Sequence, residues 1–386
     1  MEKIFIALLF FSSLYSYIVY PFALYIICLW KSACEGKGKS KGGRGIFEEQ
    51  SVTIIVAAYN EVKGIENKIN NLILLRREIP GIEIIVASDC SSDGTDEICE
   101  KYANNNELKF IRSPIRGGKE VAQYNALCLA QGKIIVFSDV STLIYKECLS
   151  NILNYFASSA VGAVSSQDAR LNRHGAKDSE GLYLKYELWV RRMESQLAGC
   201  VGMSGSFFAV RKEFCLPWNT HICSDFNLAL NTIRAGSLVI SASDVFGYYP
   251  SLKNVDDEHA RRVRTVIRGM AGLYTNRDIL IPFKNPLFAF QIFSHKLMRW
   301  ISPWCFIALF IILIFFWSEN YFNTIVFYGQ LLLLLTYVLS RVFNSLRQNI
   351  IFKLPVFFME SNLAMIEAGV KFLTGERMKI WNPSQR

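Results

Sequence analysis

The sequence has no charged residue between Ile4 and Trp30, none between Trp300 and Ser318, and none between Asn320 and Ser340. Each stretch is long enough to cross a bilayer, for which about 20 apolar residues suffice, so a wholly soluble chain is not expected. Its ten cysteines include no C-x-x-C pair and its four histidines form no paired set. That argues against zinc and against a disulfide framework, and fits reduced thiols. No G-x-G-x-x-G turn follows the first strand-like run, where the chain reads AAYNEVKG, and hydride chemistry on NAD is not expected. A P-loop is missing as well, because RGGKE at Arg116 to Glu120 lacks the spacing and the Ser or Thr after its lysine. There is no internal repeat.

The first uncharged run could be mistaken for a secretory signal peptide, but that would be shorter and end in a small-residue cleavage site. Here it ends at Trp30 and is followed by KSACEGKGKSKGGRG, with five basic residues against one acid. By the positive-inside rule this is a cytoplasmic flank. Residues 1–30 are therefore expected to be a transmembrane anchor with its N-terminus outside, and residues 31–50 a flexible basic linker able to rest on anionic headgroups. The net charge of +9 gathers beside the apolar segments and in one short cluster. Membrane lipids, and not nucleic acid, are the partner this implies.

Residues 51–280 form the predicted soluble domain. VTIIVAA, IEIIVAS, LKFIRS and KIIVFSD are short apolar runs separated by helix-like stretches, the pattern of βαβ units in a parallel sheet. Such sheets bind ligands beyond the carboxyl ends of their strands. Three polar stretches fall there: AAYNE at Ala57 to Glu61, SDCSSDGT at Ser88 to Thr95, and SDVST at Ser138 to Thr142. In the second of these, Ser91, Ser92 or Asp93 could cap the helix that follows. Near the end of the domain, Arg261, Arg264 and Arg268 share one helical face by their spacing of three and four.

The order Y-N-E, S-D-C-S-S-D-G-T, G-G-K with Asn125, F-S-D-V-S, G-M-S-G-S-F-F-A-V-R, S-D-F-N-L and R-R-V-R-T-V-I-R-G resembles glycosyltransferase family 2. The likeness is greatest to the membrane-anchored branch of hyaluronan, chitin and cellulose synthases and bacterial exopolysaccharide transferases. It runs from about Val52 to Arg268. The resemblance implies an α/β fold of the GT-A type, Rossmann-like with a mostly parallel sheet, and inverting transfer from a nucleotide sugar, a UDP-sugar above all.

The resemblance also assigns roles. Asp89 would meet the donor base, with Tyr59 and Glu61 lining the nucleoside pocket and Lys119 near the diphosphate; a plain surface lysine is the alternative for Lys119. Asp139 would hold a divalent cation, Mg²⁺ or Mn²⁺, against the sugar diphosphate. The family's second aspartate is replaced by Ser141, a poorer ligand that should weaken the metal site. Asp225 would be the catalytic base, with Ser224 in place of the first acid of the usual pair; the plain alternative is a helix cap. Arg261 and Arg264 would act in catalysis, and Arg262 and Arg268 in donor binding, unless the cluster is only a basic surface. Ser204 and Gly205 would floor the acceptor site, where they could equally form an ordinary turn.

Residues 281–386 are expected to form a membrane region. FKNPLFAFQIFSHKLMRW reads as an interfacial helix, two spans follow, and Ile350 to Leu373 puts Lys353, Glu360, Glu367 and Lys371 on one helical face. That face is expected in the membrane interface, the alternative being that it packs on the enzyme. The branch's Gln-x-x-Arg-Trp motif lacks its tryptophan here, where Thr265 stands, which argues against processive polymerisation. The expectation is an inner-membrane, multi-pass enzyme with a cytosolic domain. It would transfer sugar to a lipid-linked or growing polysaccharide acceptor. A processive synthase and a catalytically silent nucleotide-sugar-binding subunit are the alternatives.

Overall fold

The computed structural model describes residues 2–35, 51–171, 182–250, 255–343 and 349–378. Most of the basic linker and the basic C-terminal tail lie outside the described residues. Helices α1 (Glu2–Leu14) and α2 (Tyr20–Glu35) open the chain and are joined by a π-turn at Tyr15–Val19. Strands and helices then alternate: β1 (Val52–Ala58), α3 (Ile65–Glu78), β2 (Ile82–Ser88), α4 (Thr95–Asn104), β3 (Lys109–Arg112), α5 (Lys119–Leu129) and β4 (Ile134–Asp139). After α6 (Lys146–Asn154) come β5 (Val161–Leu171), α7 (Leu182–Leu197), β6 (Phe207–Arg211), α8 (Ser224–Arg234) and β7 (Leu238–Pro250). The rest is helical: α9 (Val255–Thr275), α10 (Pro286–Ile292), α11 (Met298–Phe316), α12 (Tyr321–Val342) and α13 (Ile350–Leu373).

The chain divides into two compact units. One holds Met1–Ile27, Asn254–Met270 and Leu280–Arg377, and the other Cys28–Lys253, Ala271–Ile279 and Met378–Arg386. The second unit is built on a seven-stranded sheet in the order β3-β2-β1-β4-β6-β5-β7. Strands β3, β2, β1 and β4 are mutually parallel, β6 runs antiparallel to both its neighbours, and β5 and β7 are parallel. Every residue of β1 is buried, because helices cover both faces of a parallel sheet and leave no wet side. The register pairs Ala58 with Ser88 and Ala57 with Asp139. The ends of β1, β2 and β4 therefore lie level, and the three polar stretches leave the sheet along one edge.

In the first unit, Ile6 of α1 packs with Leu309 and Leu313 of α11. Ser16 donates to the Ser294 carbonyl at 2.8 Å, at a second π-turn, Phe293–Leu297. This turn joins α10 to α11 without a break, so the segment read as an interfacial helix runs on into one long helix, Pro286–Phe316. Together with Glu2–Ala33 and Tyr321–Val342, it makes three helices long and apolar enough to cross a membrane. The charged face of α13 makes two contacts with α9. Glu367 meets His259 of α9 at 2.8 Å and Glu360 meets Arg262 at 3.6 Å. The polar face turns onto α9, where those basic side chains offer its carboxylates partners.

Candidate active site

The loops after β1 and β2 are sewn together by side chains. Ser91 Oγ accepts the Asn60 N–H at 3.1 Å, Thr95 Oγ1 accepts the Glu61 N–H at 2.9 Å, and Asn60 Oδ1 accepts the Ser92 N–H at 2.9 Å. Asp93 takes the N–H of Thr95, the first residue of α4, on one oxygen and the Val62 N–H on the other, each at 3.1 Å. Burial works against its charge, but these bonds outweigh that and hold the carboxyl below its usual range. The polar richness of SDCSSDGT is thus in large part a seam between two loops. Gly94 just before α4 has φ +98°, a left-handed conformation that suits glycine.

Asp89 is 2% exposed. Its two oxygens accept the N–H groups of Gly117 and Gly118, both at 2.8 Å. The carboxylate expected at the donor base therefore also fixes the loop that opens α5. Gly118, at φ +97°, allows the chain to present both N–H groups to it. In the same loop the Arg116 guanidinium lies 3.9 Å over the Tyr59 ring, so Tyr59 already serves as a platform for a flat cationic group.

Lys119 follows directly and is the centre of the site. Its Nζ lies 2.6 Å from Asp139 Oδ1 and 3.0 Å from the Gly205 carbonyl. Burial disfavours the charge of Lys119, but Asp139, Glu120 and Asp225 outweigh it and raise its pKa. It is no plain surface lysine. Gly205 in turn lies against the catalytic candidate: a Cβ built on it would stand 3.3 Å from Asp225 Oδ2. A side chain at position 205 would crowd that carboxylate.

Asp225 sits in the first turn of α8, and no side-chain cap bond closes this helix. Ser204 is buried, and its hydroxyl donates to Asp168 at 2.6 Å. Ser206 bonds the same carboxylate oxygen. Asp168 thus holds the Ser204–Ser206 loop, and what that loop presents between them is backbone at Gly205.

Asp139 is partly exposed, and Ser141 lies two residues on in the turn after β4. Among the described residues no group of three or more His, Cys, Asp or Glu could hold a metal ion. The donor set fits a hard cation that keeps waters and takes substrate phosphates as its other ligands, as Mg²⁺ does with one or two carboxylates. It does not fit a closed structural site.

One residue of this site went unread in the sequence. Lys68 of α3 is completely buried, its Nζ donating to Ser138 Oγ at 2.7 Å and to the Thr142 carbonyl. It clamps both ends of the turn that carries Asp139 and Ser141. Burial pushes its pKa down to about 7, against the pull of Asp139. The signal was there: Lys68 stands among Ile65, Ile69 and Leu72, positions that share one face of a helix and are otherwise apolar.

Residues 53–227, which contain all these groups, match the family described as Glycosyl transferase family 2. The chain carries a glycosyl transferase family 2 domain. The beta-monoglucosyldiacylglycerol synthase of Trichormus variabilis is 29% identical over 182 residues, 45% of this chain and 39% of that protein. The poly-beta-1,6-N-acetyl-D-glucosamine synthase of Staphylococcus epidermidis is 24% identical over 183 residues, 46% of this chain and 44% of that one. The match thus spans well under half the length of these relatives. Among solved structures, a mannosyltransferase from Pyrobaculum calidifontis, in complex with GDP-Man and Mn²⁺, superposes with a TM-score of 0.70 at 19% identity. The superposition covers 97% of this chain and all of that one, and it shows that the fold is GT-A.

The family 2 domain ends short of the arginines. Arg261, Arg264 and Arg268 stand partly buried on α9 in the helical unit. Arg262 is engaged there by Glu258 at 3.1 Å, by Glu360, and by the Phe357 ring 4.6 Å away. These contacts join α9 with α13.

Proposed function

We propose that this is an inverting glycosyltransferase that moves a sugar from a nucleoside-diphosphate donor, a UDP-sugar above all, to a lipid-linked or growing polysaccharide acceptor. It would work on the cytosolic face of the inner membrane, as a multi-pass protein. The observation that carries the reading is the line of contacts from Asp139 through Lys119 and Gly205 to Asp225. It supports reading Lys119 as a phosphate-seeking cation and Asp225 as a carboxylate base, on two sides of one short backbone segment.

Asp225 takes the proton of the acceptor hydroxyl as that oxygen bonds to the anomeric carbon, and the bond from that carbon to the diphosphate oxygen breaks with inversion. Lys119 exchanges Asp139 for the departing diphosphate. A divalent cation at Asp139 and Ser141 would neutralise charge on the same group. Asp89 keeps the Gly117–Gly118 loop in place and has lone pairs left for an imide N–H of the donor base. Tyr59 and Glu61 complete the nucleoside pocket.

The names of the two relatives, one a glucolipid synthase and the other a polysaccharide synthase, support a lipid-linked or polymeric acceptor. Thr265 in place of an aromatic platform favours adding one or a few residues per acceptor. The test is a panel of nucleotide sugars offered to the purified protein in bilayers together with a polyprenyl-linked acceptor. A discrete, slightly longer lipid-linked product is expected. A high-molecular-weight polymer would shift the reading to a processive synthase, and binding without turnover of any donor would make the chain a silent subunit.

A further inference from the structure

We propose that Lys68 is a positioning residue of the cation site, setting the turn that carries Asp139 and Ser141 without itself meeting the cation. The proposal rests on the reading of Asp139 and Ser141 as the place of a divalent cation, and it starts from where the two hydrogen bonds of Lys68 end. Nζ donates to Ser138 Oγ at 2.7 Å and to the Thr142 carbonyl. Ser138 directly precedes Asp139, and Thr142 directly follows Ser141. One ammonium thus bridges the two ends of the turn, and the placing of the two side chains between them depends on it.

The backbone around it is held as well. The Thr142 N–H donates to the Asp139 carbonyl at 3.2 Å, closing the turn, and the Asp139 N–H donates to the Ser206 carbonyl at 2.9 Å. Val140, between the two candidate ligands, is buried. One turn further along α3, Asn71 bonds both the N–H and the carbonyl of Ile144, at 3.1 and 2.9 Å. Lys68 and Asn71 lie on one side of α3 by their spacing. Asn71 ties the chain beyond the turn, and Lys68 ties the turn itself.

Packing alone gives no reason for a lysine here. Its neighbours Ile65, Ile69 and Leu72 are buried, and burial works against its charge. A methionine would fill such a place without desolvating an ammonium. Ser141 supplies the reason. Two carboxylates are drawn to a cation by charge and can settle around it, whereas a neutral hydroxyl is drawn weakly and must already be in place when the cation arrives. Side chains that orient metal ligands have large effects on affinity for that reason. The charge of Lys68 itself would repel a cation, so positioning and repulsion predict opposite signs when it is removed.

The test uses the full chain in lipid nanodiscs at one pH, with UDP present and free Mn²⁺ read from its electron paramagnetic resonance signal. Lys68→Met should weaken Mn²⁺ binding about tenfold or more and leave the affinity for UDP without metal unchanged. Asn71→Ala, which loosens the same segment beyond the turn, should lower the unfolding temperature and leave Mn²⁺ binding as it was. If Lys68→Met does not fold, Ser138→Ala removes one of the two acceptors while keeping the lysine; it should weaken Mn²⁺ binding too, and unchanged binding in it would overturn the proposal. Mn²⁺ binding that is unchanged or tighter in a folded Lys68→Met, with Asp139→Ala still losing it, would overturn the proposal and leave the cation site standing. Equal losses in Lys68→Met and Asn71→Ala, or a parallel loss of UDP binding without metal, would make Lys68 a general brace and would equally overturn it. Absence of Mn²⁺ binding to the unaltered protein would overturn both the cation site and the proposal.

Discussion

Lys119 Nζ stands 2.6 Å from Asp139 Oδ1 and 3.0 Å from the Gly205 carbonyl, so one cation ties the end of β4 to the loop beside Asp225. The pair is only partly exposed. Without a donor, Lys119 is the counter-charge of Asp139. On the proposed reading a diphosphate entering the site would compete for it, and a cation that binds Asp139 would release it.

Replacing that ammonium should therefore show in donor affinity. Lys119→Met is expected to weaken nucleoside diphosphate binding by at least about tenfold, since a hydrogen bond to a charged group contributes about 1.5–3 kcal/mol. Titration calorimetry with the diphosphate checks it, and an unchanged affinity would remove Lys119 from the donor site.

Asp225→Asn should abolish transfer while leaving donor binding nearly intact. Loss of a general base costs about 10²- to 10⁴-fold in rate. Turnover near that of the unaltered protein, measured with saturating donor, would show that the base lies elsewhere.

The cation prediction concerns Asp139 and Ser141. Asp139→Ala should weaken diphosphate binding only when Mg²⁺ or Mn²⁺ is present, and Ser141→Asp should tighten metal binding by adding a second carboxylate. Full transfer activity in excess chelator would contradict both.

Lys68 predicts a pH dependence of stability. Its folded pKa of about 7 lies below the ordinary value of 10.5, so between them the unfolded chain holds a proton that the folded chain does not. Stability from this group then rises with pH through that window, by up to about 1.4 kcal/mol per pH unit. The stability of the native protein relative to Lys68→Met should grow from about pH 7 to about pH 10. A difference independent of pH in unfolding experiments across that range would be the contrary result.

Topology supplies the last expectation. Cys128 is exposed on α5 of the sheet unit, and a membrane-impermeant thiol reagent should reach it only after the membrane is opened. The Cys128→Ser variant identifies its signal. Labelling of Cys128 in intact cells would reverse the orientation.

The parallel half of the sheet was legible because strands buried on both faces must be apolar throughout, and VTIIVAA and KIIVFSD leave no other reading. Asp139 could be placed at a ligand edge for the same reason, as the first charge after such a run. The other half was not legible. β5 and β7 mix polar with apolar residues and pair through register shifts at Val161/Ala163 and Ser165/Gln167, which break the alternation that would have announced them.

The sequence by itself determined the three apolar segments long enough to cross a membrane, the strand-end position of Asp139, and the helical face shared by Glu360 and Glu367, since each follows from composition or from a fixed period along the chain. Partners were left to the tertiary structure. Only folding shows that Lys68 lies under the Asp139 turn, that Asp89 binds the Gly117–Gly118 loop, and that Glu360 and Glu367 face Arg262 and His259 of α9. Periodicity fixes which way a side chain points from its own helix or strand, whereas the group it meets comes from a distant part of the chain, brought there by burial of the core and not by any local pattern.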